Sequence, residues 1–548
     1  MSTQCIVVLG TASIQQYIFQ SNRLKEIIGA SYLAKHWFDK GLIASIEDAG
    51  CSINTFSWNK YKENPSIPLS DAPAIADSDV NLIYVGGGNA ALLCKSQEIA
   101  KKVVKVWSLN LLKKVPGIRA VVGCCEIEES FQSAYRKALN KLKVCEEGLP
   151  FGASLGSLPV VRSCATTGLP ASVSSREDNQ NEWISYPATS KREQVGTEDN
   201  PGPARKYIAN EFASVLKEER RFAIDLDEEL GGLKGESHIA VVHADGNGMG
   251  EHLDKVIDKE YEKDADFLHY LRAFSASVSM LSKSALEKTL LYFNALSLEG
   301  LHLYENVFPF RPIVYGGDDL TFVCDGRVGL HLTAYYLQEF AKGRIRVSGK
   351  CQPVDACAGV AIVHSKFPIA QAYYFADELC GLAKAHRRDE NKNNEEKSGS
   401  WLDFQIIQEG ITESISALRD SQYRSLEGQK LHQHRPYKVP DTWKTFVKIL
   451  QAFRSKQWPR SRAKSLLQVL AQGPIETARF IEGTHWRGTI LPDVNGVDAN
   501  AKETGWTGGE EPKRTTPYFD PLEALDFYFD GLLPTDAANN VKEEEDTE

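Results

Sequence analysis

The sequence lacks the features that mark several common classes of protein. No run of about 18 consecutive apolar residues occurs, so we expect no membrane-spanning helix. The N-terminus leads directly into a strand-like pattern, so we expect no secretory signal. The eleven cysteines are scattered and include no Cys-x-x-Cys pair. We therefore expect reduced thiols in a cytoplasmic protein and no structural zinc site.

The sequence also has fewer basic than acidic residues. The chain of 548 residues has 63 Lys and Arg against 73 Asp and Glu, and its formal net charge is -10. This balance argues against a uniformly basic surface that coats nucleic acid, although a local basic groove stays possible. The length is sufficient for about three or four domains of an ordinary soluble protein.

The most informative stretch is a strand–turn–strand pattern in the second half of the chain. The apolar run 312–315 leads into the turn 316–319, with sequence Gly-Gly-Asp-Asp, and the apolar run 320–324 follows. Glycine permits a tight turn with positive φ, which places Asp318 and Asp319 at the tip of a hairpin. Adjacent carboxylates suit Mg²⁺ or Mn²⁺, which prefer oxygen ligands. The alternative is an ordinary turn with solvated acids.

A second strand-like run, 239–244, also ends in an acid, Asp245. A glycine-rich loop, 246–250, and a helical pattern follow it, and backbone N–H groups at such a helix start can bind phosphate. We predict that Asp245 faces Asp318 and Asp319 on a neighbouring strand. Three carboxylates could then hold two divalent ions for in-line attack of a hydroxyl on a nucleoside triphosphate.

These two motifs, about 70 residues apart, resemble the second palm domain of the large polymerase-like subunit of type III CRISPR effector complexes. That family is related to the GGDEF and class III nucleotide cyclases. The strand-like run 358–363, the helical run 373–384 and the strand-like run 401–404 are similar to later parts of the same domain. One departure is Asn247, which stands where many family members have a second Asp.

The resemblance implies a set of site residues. It implies that Lys384 lies near triphosphate oxygens and that a serine of the helical run 267–298, which carries Ser275 and Ser279, lies near the ribose or base; we choose Ser275. The alternative for Ser275 is a small residue that lets its helix approach the sheet. The expected catalytic residues are Asp245, Asp318 and Asp319, and with Gly246 they are the expected metal contacts. The expected nucleotide-binding residues are Gly246, Asn247, Gly248, Met249, Gly250, Ser275, Gly317 and Lys384.

The first part of the chain repeats the hairpin pattern without its acids. Residues 81–93 read as strand, Gly-Gly-Gly-Asn turn and strand, which indicates an internal duplication. A Rossmann phosphate loop does not fit, because a second strand follows the glycines directly. By resemblance this half is the family's first palm, and we expect it to pack against the second.

The expected fold class is α/β (α+β), with two ferredoxin-like palm domains of the nucleotidyl cyclase type and a helical C-terminal domain. The predicted domains are a degenerate first palm (1–171), a flexible insertion and linker helix (172–235), a catalytic second palm (236–429) and a helical domain with an acidic tail (430–548). Many family members also have a zinc ribbon and an HD nuclease domain. Only Cys164 stands in the ribbon region and no His-Asp dipeptide occurs, so we expect neither.

The function implied by the resemblance is synthesis of 3′–5′ linked cyclic oligoadenylate from ATP in antiviral defence, with two Mg²⁺ or Mn²⁺ ions. The expected partners are CRISPR effector subunits with guide and target RNA, or a downstream effector protein. Two alternatives stay open. One is a structural or ATP-binding palm subunit with little turnover, against which the intact Asp318 and Asp319 argue. The other is a standalone cyclic dinucleotide synthase; the duplicated palm argues against a homodimeric form of it.

Overall fold

The computed structural model describes eleven segments of the chain. No helix in these segments is long and apolar enough to cross a membrane. The fold class is the predicted mixture of helices and sheets, with one five-stranded and one six-stranded sheet. The described residues are 3–148, 160–177, 180–197, 199–216, 220–226, 229–230, 238–296, 306–393, 399–407, 414–509 and 513–529.

The first palm is built on a five-stranded sheet with the strand order β2-β3-β4-β1-β5. Strand β1 is almost fully buried, and it pairs antiparallel with its neighbours β4 and β5. The predicted glycine turn joins β3 to β4, where Gly87 and Gly88 both have positive φ. The elements are β1 Cys5–Ala12, α1 Ile14–Ile18, α2 Leu24–Phe38, α3 Lys40–Asp48, β2 Ile53–Asn54, α4 Phe56–Glu63, β3 Val80–Gly86, β4 Asn89–Cys94, α5 Gln97–Lys114, β5 Arg119–Glu126 and α6 Phe131–Glu147.

A hairpin and two helices lie in the stretch that the sequence predicts to be an insertion and linker. They are β6 Val173–Glu177, β7 Gln180–Ile184, α7 Tyr186–Val195 and α8 Pro203–Glu211, followed by β8 Arg221–Phe222. The polar composition of this stretch did not predict that α7 would be packed, because α7 buries charged residues as well as apolar ones. Arg192, for example, pairs with Glu26 at 2.8 Å. A Cβ on Gly29 would lie 1.8 Å from the Lys191 carbonyl oxygen, so only glycine lets α2 approach α7 this closely. The domain limits themselves stay predictions.

The second palm is built on a six-stranded sheet with the order β11-β12-β9-β15-β16-β17. Only β15 and β16 are parallel neighbours; the other pairs are antiparallel. Its elements are β9 His238–Gly246, α9 Met249–Asp258, α10 Asp264–Ala295, β10 Val307–Phe308, β11 Phe310–Val314, β12 Asp319–Asp325, α11 Gly329–Lys342, β13 Arg344–Val347, β14 Lys350–Pro353, β15 Ala356–His364, α12 Ile369–Asn393 and β16 Ser400–Ile406.

The C-terminal part is mainly helical and contributes one strand, β17, to the edge of the second sheet. Its packed faces carry large aromatic side chains such as Trp443, Phe453 and Trp506, all of them buried. The predicted acidic tail lies outside the described residues. Helix α13 Ile415–Gln422 lies within the predicted limits of the second palm. The elements after it are β17 Tyr437–Val439, α14 Asp441–Arg454, α15 Arg460–Gln472, α16 Pro474–His485, α17 Ala499–Thr504 and α18 Phe519–Glu523.

A helix of each palm packs against a strand of the other palm. Helix α10 of the second palm contacts β3 of the first, and α2 of the first contacts β11 of the second. The buried guanidinium of Arg272 on α10 donates to the carbonyls of Leu82 and Ile83, each at 3.2 Å. The Ser31 hydroxyl on α2 donates in turn to the Ile313 carbonyl. These contacts bring the glycine turns of the two palms next to each other.

Candidate active site

Two of the predicted carboxylates lie side by side on neighbouring strands. Strands β9 and β12 pair antiparallel with Asp245 directly opposite Asp319. Alternate residues of a strand share a face, so His243 and Thr321 form the next pair on the same face. Ligand atoms of His243, Asp245 and Asp319 all lie within 4.8 Å of one another. The structure therefore brings together residues that are about 70 positions apart in the chain.

The third carboxylate, Asp318, lies in the turn just before β12 and next to the end of β9. Its carbonyl accepts a hydrogen bond from the Gly246 N–H at 3.2 Å. A Cβ on Gly246 would lie 3.1 Å from the Asp318 Cβ and 2.9 Å from the Met249 Cε. Glycine at 246 thus allows the loop and the turn to approach each other, and Met249 contributes apolar packing beneath them.

Burial and mutual repulsion disfavour the charged form of both turn carboxylates. Burial, and then the charge of Asp245, raises the pKa of Asp318 to about 6. Burial, followed by the charges of Asp318 and Asp245, raises the pKa of Asp319 well above its usual value. Half-buried carboxylates with oxygen ligands close to one another are the donor set that Mg²⁺ or Mn²⁺ neutralises. The residues present therefore fit the divalent ions that the sequence predicts.

Lys384 supplies a positive charge at the same place. It lies on α12, and its ammonium forms an ion pair with the Asp245 carboxylate. Burial alone would lower the pKa of Lys384, but the Asp245 charge and hydrogen bond raise it on balance. The lysine thus neutralises part of the charge of the carboxylate cluster.

The glycine-rich loop after β9 leads into α9 as the sequence predicts. Gly248 has a φ of 69° and lies immediately before α9, and Gly250 lies in its first turn. The side chain of Asn247 is directed away from the carboxylates. Its amide donates to the Asp355 carboxylate at 2.8 Å, and Asp355 also forms an ion pair with Arg387 at 2.9 Å. Asn247 therefore fastens the loop to the start of β15.

His243 is the residue that reasoning from sequence missed. It is buried, its Nδ1 lies 3.1 Å from the Thr321 hydroxyl, and its Nε2 lies 3.5 Å from an Asp377 carboxylate oxygen. Burial lowers the pKa of His243, which favours the neutral imidazole. The signal in the sequence was its position two residues before Asp245, because that spacing puts both side chains on one face of a strand.

A cavity of about 700 Å³ between the two palms opens onto the carboxylate turn. Its lining combines both glycine turns, 86–88 and 316–317, with Asp318 and Asp319. The volume lies in the range of small-molecule sites in proteins. Two serines of α10, Ser279 and Ser284, line the cavity, whereas Ser275, one turn before Ser279, is not part of its lining.

Comparisons with known proteins agree with the motifs. Residues 238–394 match the family model described as Cas10/Cmr2, second palm domain. Csm1 from T. onnurineus superposes with a TM-score of 0.50 and 12% identity, covering 96% of this chain and 70% of that one. The Csm1-Csm4 cassette in complex with AMPPNP superposes with a TM-score of 0.49 and 13% identity, covering 97% and 69%.

The cassette in complex with cA3 gives a TM-score of 0.49 and 13% identity as well, covering 96% and 70%. No curated protein matches the chain. At such low identity the structural likeness shows the fold alone, whereas the family model matches the segment that carries both acidic motifs. The chain thus carries a Cas10/Cmr2-like second palm domain and resembles the large polymerase-like subunit of type III CRISPR effector complexes.

Proposed function

We propose that this chain is a metal-dependent nucleotidyltransferase that joins ATP molecules through 3′–5′ linkages into cyclic oligoadenylate-type messengers. The observation that carries the proposal is the pairing of Asp245 with Asp319 on adjacent strands, with Asp318 beside them. The turn opens onto a cavity of nucleotide size. The match of residues 238–394 to the second palm family supports the same reaction class.

Each group of the chain has a distinct role in this proposal. Asp245, Asp318 and Asp319 would hold two divalent ions. When bound, such ions lower the pKa of an attacking hydroxyl and offset charge on a leaving pyrophosphate. The N–H groups of the loop 246–250 would bind phosphate oxygens at the start of α9. Lys384, which pairs with Asp245, would turn to the triphosphate once cations neutralise the carboxylates.

The biological setting belongs to the same proposal. A palm of this kind would work in the cytoplasm, in antiviral defence, with CRISPR effector subunits and guide and target RNA as partners or with a downstream effector protein. The number of adenylates in the product depends on the shape of the cavity between the palms.

The test is product formation from labelled ATP. The purified protein is incubated with labelled ATP and Mn²⁺, with and without target RNA, beside the Asp318→Ala/Asp319→Ala variant. A matched control is Glu128→Ala/Glu129→Ala, which removes two adjacent exposed carboxylates of the first palm. We expect cyclic oligoadenylate from the wild type and the control, and none from the Asp318→Ala/Asp319→Ala variant. Equal product from all three proteins, or none under any activator, would contradict the proposal.

A second candidate is a palm that binds ATP with little turnover. The observation in its favour is Asn247, whose amide is engaged with Asp355 where many family members have a further carboxylate. In that case ATP would bind in a metal-dependent way, the Asp318→Ala/Asp319→Ala variant would lose this binding, and no product would form.

A further inference from the structure

The two helices that pack across the boundary between the palms, α2 and α10, each carry a serine followed four residues later by a lysine on the side that lines the cavity. Helix α2 has Ser31 and Lys35, and helix α10 has Ser279 and Lys283. Both pairs have i,i+4 spacing, which places the serine and the lysine on one face of a helix. All four residues line the cavity between the palms. Since α2 contacts β11 and α10 contacts β3, the two patterns occupy equivalent places in the duplicated palms.

The two lysines converge on one carboxylate that belongs to neither helix. Glu211, the last residue of α8, lies 3.2 and 3.3 Å from the Lys35 ammonium through its two oxygens. The Lys283 ammonium lies 3.5 Å from the same carboxylate. The Tyr315 hydroxyl donates to it at 2.8 Å. Two ammonium groups and the phenol of Tyr315 thus surround a single anion. Tyr315 directly precedes the Gly-Gly-Asp-Asp turn.

The surroundings keep that anion charged although it is largely enclosed. The Glu211 side chain is only 13% exposed. Burial alone would raise the pKa of Glu211, but Lys35, the Tyr315 hydroxyl and Lys283 together lower it. The Lys35 ammonium also lies 3.8 Å from the centroid of the Tyr315 ring, which fixes its position. Such a set of positive and hydroxyl donors is also the set that binds phosphate oxygens.

We propose that Lys35, Lys283 and Tyr315 form a phosphate site in the cavity between the palms, and that Glu211 occupies this site while no nucleotide is bound. The ligand class is the phosphate chain of a nucleotide, so the identity of the ligand rests on the proposed function. The site shares a cavity with Asp318 and Asp319 but uses separate residues. A phosphate group and the Glu211 carboxylate repel each other, so the linker residue competes with the ligand.

The test measures anion binding without metal and without turnover. The full-length protein is titrated with inorganic tripolyphosphate in EDTA by calorimetry, and in parallel with ATP. We expect Glu211→Gln to bind tripolyphosphate roughly tenfold more tightly than the wild type, because a competing charge is gone. The matched control is Glu287→Gln, which removes a carboxylate of the same cavity that lies 3.9 Å from Lys283. We expect this control to change the affinity less than about twofold.

Two further variants separate the site from a general change of charge. Lys35→Met/Glu211→Gln is expected to lose the gain seen with Glu211→Gln. Lys283→Met, at a side chain that is 40% exposed, is expected to weaken binding to the otherwise unchanged protein, and it decides the matter even where Glu211→Gln does not fold. ATP that binds at least as tightly as tripolyphosphate supports a nucleotide as the ligand.

Several outcomes would overturn the proposal. They are a Glu211→Gln affinity no higher than that of Glu287→Gln, a gain that persists without Lys35, or an unchanged affinity in Lys283→Met. The Asp318→Ala/Asp319→Ala variant should bind tripolyphosphate in EDTA no more weakly than the wild type. A failure of the proposed synthase activity is thereby distinguished from a failure of this site.

Discussion

Gly87 and Gly317 lie against each other where the two palms meet. A Cβ added to Gly317 would lie 3.3 Å from the Gly87 Cα and 3.7 Å from its backbone nitrogen. The acid-free turn of the first palm thus packs directly against the Gly-Gly-Asp-Asp turn of the second. The duplicated half of the chain has a physical role here, because it holds the turn that carries Asp318 and Asp319.

The first prediction concerns this contact. Gly317→Ala places a methyl group against the backbone of the opposite turn, which cannot move as a flexible side chain would. We expect a loss of about 1 kcal/mol in the free energy of unfolding, measured by denaturant titration. The control is Gly86→Ala, where an added Cβ meets nothing within 4 Å. If Gly317→Ala were no less stable than Gly86→Ala, the close contact between the turns would be wrong.

The second prediction concerns repulsion among the carboxylates in the absence of metal. In EDTA at pH 7.5 we expect Asp318→Asn/Asp319→Asn to unfold at a higher temperature than the wild type, because two half-buried charges that repel each other are gone. The pKa values of Asp318 and Asp319 are raised in the folded protein, Asp318 to about 6. The folded state therefore binds more protons than the unfolded state above about pH 4, and the wild type loses stability as the pH rises.

The difference in unfolding temperature between variant and wild type should accordingly grow from about pH 4 to about pH 6 and beyond. Millimolar Mn²⁺ should remove it, because the ions neutralise the wild-type carboxylates. A wild type that is the more stable protein at pH 7.5 in EDTA would mean that the three acids are adequately neutralised by other groups.

The third prediction concerns Lys384. Lys384→Met removes the cation that pairs with Asp245, so we expect a severalfold gain in Mn²⁺ affinity without nucleotide and a loss of affinity for ATP. Calorimetry measures both. Lys392→Met is the control on the same helix, since Lys392 is exposed and pairs with Asp389. Two affinities that change in the same direction would contradict a lysine that alternates between carboxylate and phosphate.

The fourth prediction concerns the join between the palms. Arg272→Leu leaves the carbonyls of Leu82 and Ile83 without their donor, and we expect it to cost about 2 kcal/mol. Arg344→Leu, at an exposed arginine of the same palm, should cost less than about 0.5 kcal/mol. Calorimetric unfolding measures both. Equal stability of the two variants would show that the Arg272 contacts do not hold the palms together.

Sequence reasoning was most successful where the pattern is local. Alternating strand patterns and glycine turns predicted both hairpins, and the acid at the end of β9 pointed to the strand pair on which Asp245 meets Asp319. Whether Ser275 or Ser279 faces the cavity depends on the rotation of α10 about its axis. Because α10 buries residues on several sides, its apolar pattern does not fix that rotation.

Contacts that depend on how a helix or the linker packs against the sheet could not be predicted from the residue pattern. The position of Lys384 on Asp245 depends on how α12 crosses the sheet, and the contact of Glu211 with Lys35 depends on how the linker returns to the cavity. The Asn247 amide resembled a weakened metal ligand in the sequence. Only the approach of Asp355 from β15's start shows that this amide fastens the loop.

The most direct test of the central claim is to count the Mn²⁺ ions that bind in the presence of a non-hydrolysable ATP analogue, by electron paramagnetic resonance. We predict two ions per chain for the wild type and for Glu128→Ala/Glu129→Ala, and none at these sites for Asp318→Ala/Asp319→Ala. The same number of bound ions in all three proteins would contradict a metal site built from Asp245, Asp318 and Asp319.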